Sequence, residues 1–457
     1  MSKHTSERMN KPLNKLLIVA PFVSLPGEPC FNRFLSLSYL WAQDYDVTLV
    51  TSTFFHMEKR QRGRNSQVLA NLPFNLVLID EPGYRSNVSF ARFWSHRIFH
   101  KNFKRWLIKT LEQGTCFDLI YSAFPLISTN LTLGELKTQQ SSQQPYKLVI
   151  DVQDIWPDSI FSAIPFLKTA DFLISPLRAK ACKAYSYADA LVAVSKTYLD
   201  VALSHSPTTP SLVAYLGADY ATIESIEPDA RSPGKIKLFY LGTLSHSYDM
   251  ETVIRGFSCL HFNDNVELHI LGDGPDREKL EALAQTCVKT QTHKNTIADS
   301  ANNIFFHGYL PYKEAIAFTK SCHIAINPIV SSATQSITNK LSDYIALGHP
   351  IISSQRNWEA MEIIKSQGGY LFKAGSKQSF AAAAQQAIQN CQKQSTQSLA
   401  FNSHTPIDKE ATCGSLANGA VMPASKTKRR SQLDRLFDRR IAYPKITALL
   451  EKICADT

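Results

Sequence analysis

The sequence predicts an α/β protein built from two Rossmann-like, doubly wound parallel-sheet domains in tandem. Three observations carry this. Short apolar runs with no room for a helix recur along the chain, helical segments separate them, and the whole pattern restarts midway. Residues 15–20 (KLLIVA) are unbroken and apolar, as a strand buried on both faces requires, and lead into a turn-forming stretch with Pro21, Pro26 and Gly27. Residues 30–43 have helical spacing, and residues 46–51 (DVTLVT) form the next strand. Further strands are expected at 75–79, 118–121, 147–151 and 190–194, which gives βαβ units and a parallel sheet.

The pattern begins again at residues 236–241 (IKLFYL), which run straight into Gly242. A helix at 251–259, a strand at 266–271 (VELHIL), a turn at 272–275 and a helix at 276–284 follow. Residues 304–307, 323–327 and 350–353 supply three more strands. The expected division is an N-terminal domain over 1–210, a linker over 211–234 and a C-terminal domain over 235–435. The two sheets are expected to face one another across a cleft, because ligands of open parallel sheets bind beyond the C-terminal strand ends. Polar stretches at 138–144 and 286–303 read as decoration, and residues 392–428 as an insert with little periodicity. Helical spacing resumes over 429–453, with a kink expected at Pro444.

Composition narrows the function classes. Of 457 residues, 44% are hydrophobic and 19% charged, values of a folded globular protein. Residues 1–15 are polar and lack the apolar stretch of a secretory signal, and no apolar run reaches the roughly 18 residues needed to cross a bilayer. Nine cysteines, an odd number with no C-x-x-C pair, argue against a disulfide framework and a zinc site. A soluble, reduced, cytoplasmic protein is expected. The net charge of +10 is concentrated, since residues 59–109 hold eleven Lys or Arg against Asp80 and Glu81. On a helical wheel Phe99, Phe103, Trp106 and Leu107 share one side, while Arg97, Lys101, Lys104 and Arg105 gather opposite. An amphipathic helix with a solvated face explains this as well as a helix lying on an anionic membrane, with basic side chains on lipid phosphates and aromatics dipping in. No nucleic-acid recognition motif accompanies the charge.

Residues 146–159 (YKLVIDVQDIWPDS) place Asp151, Asp154 and Asp158 at and beyond a strand end. Asp158 can cap the helix that follows, whereas Asp151 and Asp154 have no helix that needs them and are site candidates. Three carboxylates without a second cluster at ligand spacing do not make a metal site. Gly242 and the Gly272-x-Gly274 turn let backbone approach a ligand, although tight strand-to-helix packing explains them equally. The most informative run is 335–350 (QSITNKLSDYIALGHP). Ser336, Thr338 or Asn339 can start a helix there, and Leu341, Tyr344, Ile345 and Leu347 supply its apolar face. Its free amides, with Lys340 one turn in, suit a diphosphate, and Asp343 can accept hydrogen bonds from ribose hydroxyls.

This run resembles the donor-site helix of retaining glycosyltransferases of family 4, which have the GT-B fold. In that family two acidic residues bracket the helix start. The second, which contacts the ribose, aligns with Asp343, and the first aligns with Gln335, which is not acidic. Residues 51–60 (TSTFFHMEKR), 82–95 (PGYRSNVSFARFWS), 150–157 (IDVQDIWP) and 240–249 (YLGTLSHSYD) resemble a bacterial branch that builds surface polysaccharides, including O-antigen and capsule. The chain ending, with Phe437 and Tyr443, resembles the family's final helix, so that 436–457 would complete the N-terminal, acceptor-side domain. Many relatives carry an Arg just after the glycine matching Gly242 and a Lys five residues later. Thr243 and Tyr248 stand there instead, leaving Lys340, Arg33 or backbone amides to meet the phosphate charge. Gly27 and the Asn32-Arg33 pair are nearest to the glycine loop of relatives, and with Asp151 make up the acceptor or phosphate side.

The resemblance implies transfer of a sugar from a nucleotide sugar, UDP-linked in preference to GDP-linked, with retention of configuration. It implies no cofactor and no essential metal, and a saccharide or polyprenyl-diphosphate-linked saccharide acceptor. Lys340 would hold the leaving group, and Asp154, where relatives often have a histidine, would orient the acceptor or relay its proton. Two other readings share the architecture: a non-catalytic nucleotide-sugar-binding partner subunit and a sugar-nucleotide 2-epimerase.

Overall fold

A computed structural model describes residues 14–28, 33–63, 67–86, 89–139, 145–159, 171–229, 235–260, 265–292, 303–333, 336–402 and 432–455. The chain divides into two units, Met1–Tyr215 with Tyr443–Thr457, and Leu216–Ala442.

In the first unit the strands are β1 (Lys15–Val19), β2 (Asp46–Ser52), the short hairpin β3 (Phe54–Phe55) with β4 (Arg60–Gln61), β5 (Asn75–Ile79), β6 (Leu119–Phe124), β7 (Lys147–Val152), β8 (Ala190–Ala193) and β9 (Ser211–Val213). All but the hairpin join one seven-stranded sheet in the order β5-β2-β1-β6-β7-β8-β9. Every pairing in that sheet is parallel. The continuous apolar runs follow from burial on both faces: Leu16, Leu17, Ile18, Leu119 and Ile120 are wholly shielded from solvent. Chain direction through the sheet reverses between β1 and β6, which places the switch point of the fold beside Ala20–Phe22.

The second unit repeats the scheme with β10 (Ile236–Leu241), β11 (Val266–Leu271), β12 (Ile304–Gly308), β13 (Ile324–Asn327), β14 (Ile351–Ser353) and β15 (Tyr370–Leu371). Its six-stranded parallel sheet runs β12-β11-β10-β13-β14-β15 and switches direction between β10 and β13. Leu238, Tyr240, Leu268, Ile270, Ile324 and Ile326 from three strands pack with Val253, Ile254, Phe257, Phe380 and Ile388 from helices on one face.

Several sequence expectations are corrected. Ser211–Val213, assigned to the linker, pair with β8 and extend the first sheet, and a short helix, Tyr220–Ser225, follows with Asp219 as its N-cap. The helix expected over 276–284 runs from Arg277 to Thr292 into the polar stretch. The Lys377–Asn402 helix takes the first part of the predicted insert, and residues 403–431 lie outside the described residues. The helix expected at the chain ending is present as Arg439–Ala455, with Pro444 inside it. Its Thr447 hydroxyl accepts from the Trp41 indole at 2.9 Å within the first unit.

Candidate functional site

At the switch point of the second sheet, the chain leaving β13 turns into the Asn339–Leu347 helix. Thr338 is its N-cap, the hydroxyl accepting from the Leu341 amide at 3.2 Å, and Gly348 closes it in the left-handed conformation, φ 74°. The apolar side of the helix, Leu341, Tyr344 and Ile345, is buried against the sheet. That fixes the direction of the first turn, and Lys340 projects over the end of β10.

The Lys340 Nζ is sealed from solvent and has no hydrogen-bond partner among the described residues. It lies 3.8 Å from the centre of the Tyr240 ring and 3.6 Å from that of Tyr248. Two aromatic faces thus replace a counter-ion. Burial drives its pKa well below the ordinary lysine value. Gly242 makes room for this side chain: at φ 149°, a β-carbon there would stand 2.6 Å from Lys340 Cε. Ser336 is buried with its hydroxyl unpartnered, and the Oδ1 of Asn327 at the end of β13 is likewise unsatisfied. Asn339 and Thr243 are exposed, and the Thr243 carbonyl accepts from the Tyr240 hydroxyl at 2.7 Å. Gln335 lies outside the described residues.

One turn on, the Asp343 carboxylate accepts from the Tyr312 hydroxyl at 3.2 Å. Burial pushes its pKa up to about 7, while the charge of Arg439 and the tyrosine bond pull it down. Gly272 and Gly274, expected at the donor, are taken up by packing between turns. β-Carbons there would stand 1.9 Å from the Gly242 carbonyl oxygen and 2.2 Å from that of Leu244.

The first unit gathers a different set at the C-terminal edge of its sheet. Phe22 follows β1, His56 and Lys59 lie in the turn of the β3–β4 hairpin that follows β2, Tyr84 follows β5, and Asp154 and Trp156 follow β7, while Arg92 and His96 come from the Phe90–Glu112 helix. The Phe22 ring lies 5.2 Å from His56 and 5.4 Å from His96, and His96 stacks on Trp156 at 5.9 Å. The Arg92 guanidinium covers both Trp156, at 5.0 Å, and Tyr84, at 5.6 Å. Burial, reinforced by Lys59 and Arg92, lowers His56 to about 4. Burial, with Arg92 and His56, lowers His96 to about 3. Both imidazoles are uncharged at neutral pH. None of these histidines or aromatics was singled out in the sequence, because they meet only through the order of the strands. Beside them a cleft of about 140 Å³ opens at the switch point, lined by Pro21, Phe22, Phe34, Phe124, Leu126 and Gln153.

The predicted residues of this unit divide. Asp154 sits in the cluster, accepting from its neighbour's amide at 2.8 Å and from the Trp156 indole at 3.1 Å, and so orients that ring. Arg33 and Asp151 do not present charge to a ligand. They form a buried ion pair at 2.7 Å, with the Tyr121 hydroxyl donating to Asp151 at 2.6 Å. Arg33 also binds the Ala214 and Tyr215 carbonyls and lies under the Tyr443 ring, so its charge locks the end of the first unit. Gly27 occupies an exposed turn with φ 86°, and Asn32 lies outside the described residues. Arg97, Lys101, Lys104 and Arg105 are all exposed on the Phe90–Glu112 helix. Phe99, Phe103 and Leu107, expected as its membrane side, are buried in the core instead. Among the described residues, no group of three or more His, Cys, Asp or Glu is placed to hold a metal ion, and no helix is long and apolar enough to cross a membrane.

The caged lysine, the helix start and the glycine turn lie in the part of the chain that a known family covers. Residues 235–390 match the family of glycosyl transferases group 1. No curated protein matches the sequence. Among solved structures, the chain is similar to the Anabaena protein HepE in complex with UDP, at TM-score 0.58 and 14% identity, covering 96% of this chain and 100% of that one. It is similar to sucrose-phosphate synthase from Thermosynechococcus elongatus, at TM-score 0.61 and 12% identity, over 97% of this chain and 100% of the other. The lipopolysaccharide outer core galactosyltransferase WaaB gives TM-score 0.58 and 13% identity over 96% and 99%. These likenesses establish the fold: two parallel-sheet α/β domains of the GT-B type.

Proposed function

We propose that this chain transfers a glycosyl group from a nucleoside diphosphate sugar to an acceptor hydroxyl, with retention of anomeric configuration. The observation that carries the reading is Lys340, a buried lysine end with no counter-ion among the described residues at the start of a helix, in the unit that matches group 1 glycosyl transferases. A diphosphate supplies the missing negative charge and meets the helix amides as well. In the transfer, the bond from C1 to the diphosphate oxygen breaks and a bond from the acceptor oxygen to C1 forms on the same face. The acceptor proton passes to the departing phosphate. Charge grows on that phosphate, where Lys340 and fixed amides stabilise it without a metal. Asp343, tied to Tyr312, accepts from the ribose hydroxyls. On the first unit, the uncharged His96, whose Nε2 has no hydrogen-bond partner among the described residues, accepts from the acceptor hydroxyl and orients it before its proton leaves, while His56 meets the Tyr84 hydroxyl and Asp154 keeps the Trp156 platform in place.

UDP is favoured as the nucleotide, supported by the UDP bound in the Anabaena structure. A saccharide or lipid-linked saccharide acceptor in bacterial surface-polysaccharide synthesis is supported by the sequence resemblance and by the likeness to a lipopolysaccharide galactosyltransferase. The test is turnover with UDP-sugars. Lys340→Ala and Asp343→Ala should each lower transfer by roughly tenfold or more, about one lost charged contact, with unchanged circular dichroism. Near-normal turnover in both variants removes the donor-site assignment. Conversion of donor in the absence of acceptor identifies an epimerase, and UDP binding without any turnover identifies a binding subunit.

A further inference from the structure

The Phe90–Glu112 helix carries a feature that donor and acceptor chemistry do not use. Ser89 caps it, its hydroxyl accepting from the Arg92 amide at 3.2 Å, so the first turn is fixed and its side chains have set directions. Phe99, Phe103 and Leu107 anchor one side in the core at 1% exposure or less. That leaves the opposite side outward. There Phe90, Phe93 and Trp94 are 79%, 60% and 50% exposed. With a 3.6-residue repeat, these three fall in one sector of roughly 120° together with Arg97, Lys101, Lys104 and Arg105. None of the four basic residues meets a carboxylate within ion-pair distance among the described residues, and the helix has Glu112 as its single acidic residue.

Three large exposed aromatics at one end of a helix are costly in water and do not arise from core packing. A run of unpaired cations continuing along the same face selects a partner that is apolar inside and negative at its surface. We propose that this face docks on an anionic lipid bilayer, with Phe90, Phe93 and Trp94 entering the headgroup–acyl boundary and the four cations resting on lipid phosphates. The arrangement differs from the usual two-sided amphipathic helix. The core claims the apolar stripe, so the membrane contact is made by a mixed aromatic and basic face, with its apolar anchor confined to the first turn.

The test is flotation of the full chain with vesicles of phosphatidylcholine alone and of phosphatidylcholine with phosphatidylglycerol, at low and high salt. The chain should float with the anionic vesicles at low salt and separate from them at high salt. Replacing Arg97, Lys101, Lys104 and Arg105 by Gln should lower the bound fraction roughly tenfold or more. Phe90→Ser/Phe93→Ser/Trp94→Ser, which leaves the charge untouched, should also weaken binding and should leave the melting temperature unchanged, since the three side chains are exposed. A wild-type chain that ignores anionic vesicles overturns the proposal, as does a triple aromatic variant that binds them as well as wild type. A concentration-dependent dimer abolished by the triple variant would assign the face to a second copy of the chain and overturn it too.

Discussion

Two buried cations show how little residue type says without geometry. Arg33 and Lys340 both stand near the end of a parallel strand system, and both serve equally well in sequence as phosphate ligands. Arg33 is already answered by Asp151 at 2.7 Å, and although burial is the largest single influence and opposes its charge, Asp151 together with Tyr121 and Tyr443 outweighs it and raises the pKa. Lys340 has two tyrosine rings and, among the described residues, no carboxylate, so burial wins and its pKa falls. His56 and His96 follow the same rule, held uncharged by burial and by the cations beside them. Because their folded values, about 4 and about 3, lie below the value near 6.5 of the unfolded chain, they bind protons on unfolding. Their contribution is complete above pH ~6.5 and is lost as the pH falls through the folded values. Melting curves between pH 7 and 4 should show acid destabilisation that His56→Gln/His96→Gln relieves by about two protons of uptake. An identical slope in the variant would show that neither ring is held neutral.

At the scale of elements, strand identity was largely legible. KLLIV, IKLFYL and VELHIL are continuous because both faces of a parallel strand are covered, and each became a strand. The misses are short: Ser211–Val213, Tyr370–Leu371 and the Phe54–Phe55 hairpin have no periodicity to read; pairing with β8 and β14 makes the first two strands, and the third closes locally on Arg60–Gln61. The first-unit cluster was illegible for a related reason. Its members come from four loops and one helix, and only the order β5-β2-β1-β6-β7 brings those loops to one edge. The glycine turns were legible as turns but not in their separate roles. Gly242 opposes the Lys340 side chain at 2.6 Å, whereas Gly272 opposes backbone at 1.9 Å. Gly272→Ala should therefore cost stability, about 1–3 kcal/mol in thermal or urea unfolding. Gly242→Ala should displace Lys340 and weaken UDP binding roughly tenfold in calorimetry. Equal effects of the two substitutions on UDP affinity would contradict this division.

For the whole molecule, repetition is the organising fact. Two parallel sheets with strand order reversing at β1/β6 and at β10/β13 place the loops after β1 and β10 at equivalent points, and the chain uses the two differently. The first carries an apolar cleft with uncharged imidazoles nearby; the second carries the buried end of Lys340, unpartnered among the described residues. That asymmetry is the physical basis for assigning the acceptor to one unit and the nucleotide to the other. A lysine end buried between two rings with no partner among the described residues weakens the fold it sits in, and on the proposed reading that cost is what readiness to take an anion requires. The most direct measurement is calorimetry of UDP binding at pH ~8, in buffers of different ionisation enthalpy, on the wild type and on Lys340→Met, with melting temperatures of both ligand-free proteins. Wild type should take up protons as UDP binds, because the diphosphate raises the Lys340 pKa that burial has lowered. Lys340→Met should take up none, bind at least roughly tenfold more weakly, and melt at a higher temperature than wild type. Unchanged affinity and proton uptake in Lys340→Met, with a lower melting temperature, would show that the lysine serves the fold and not the donor.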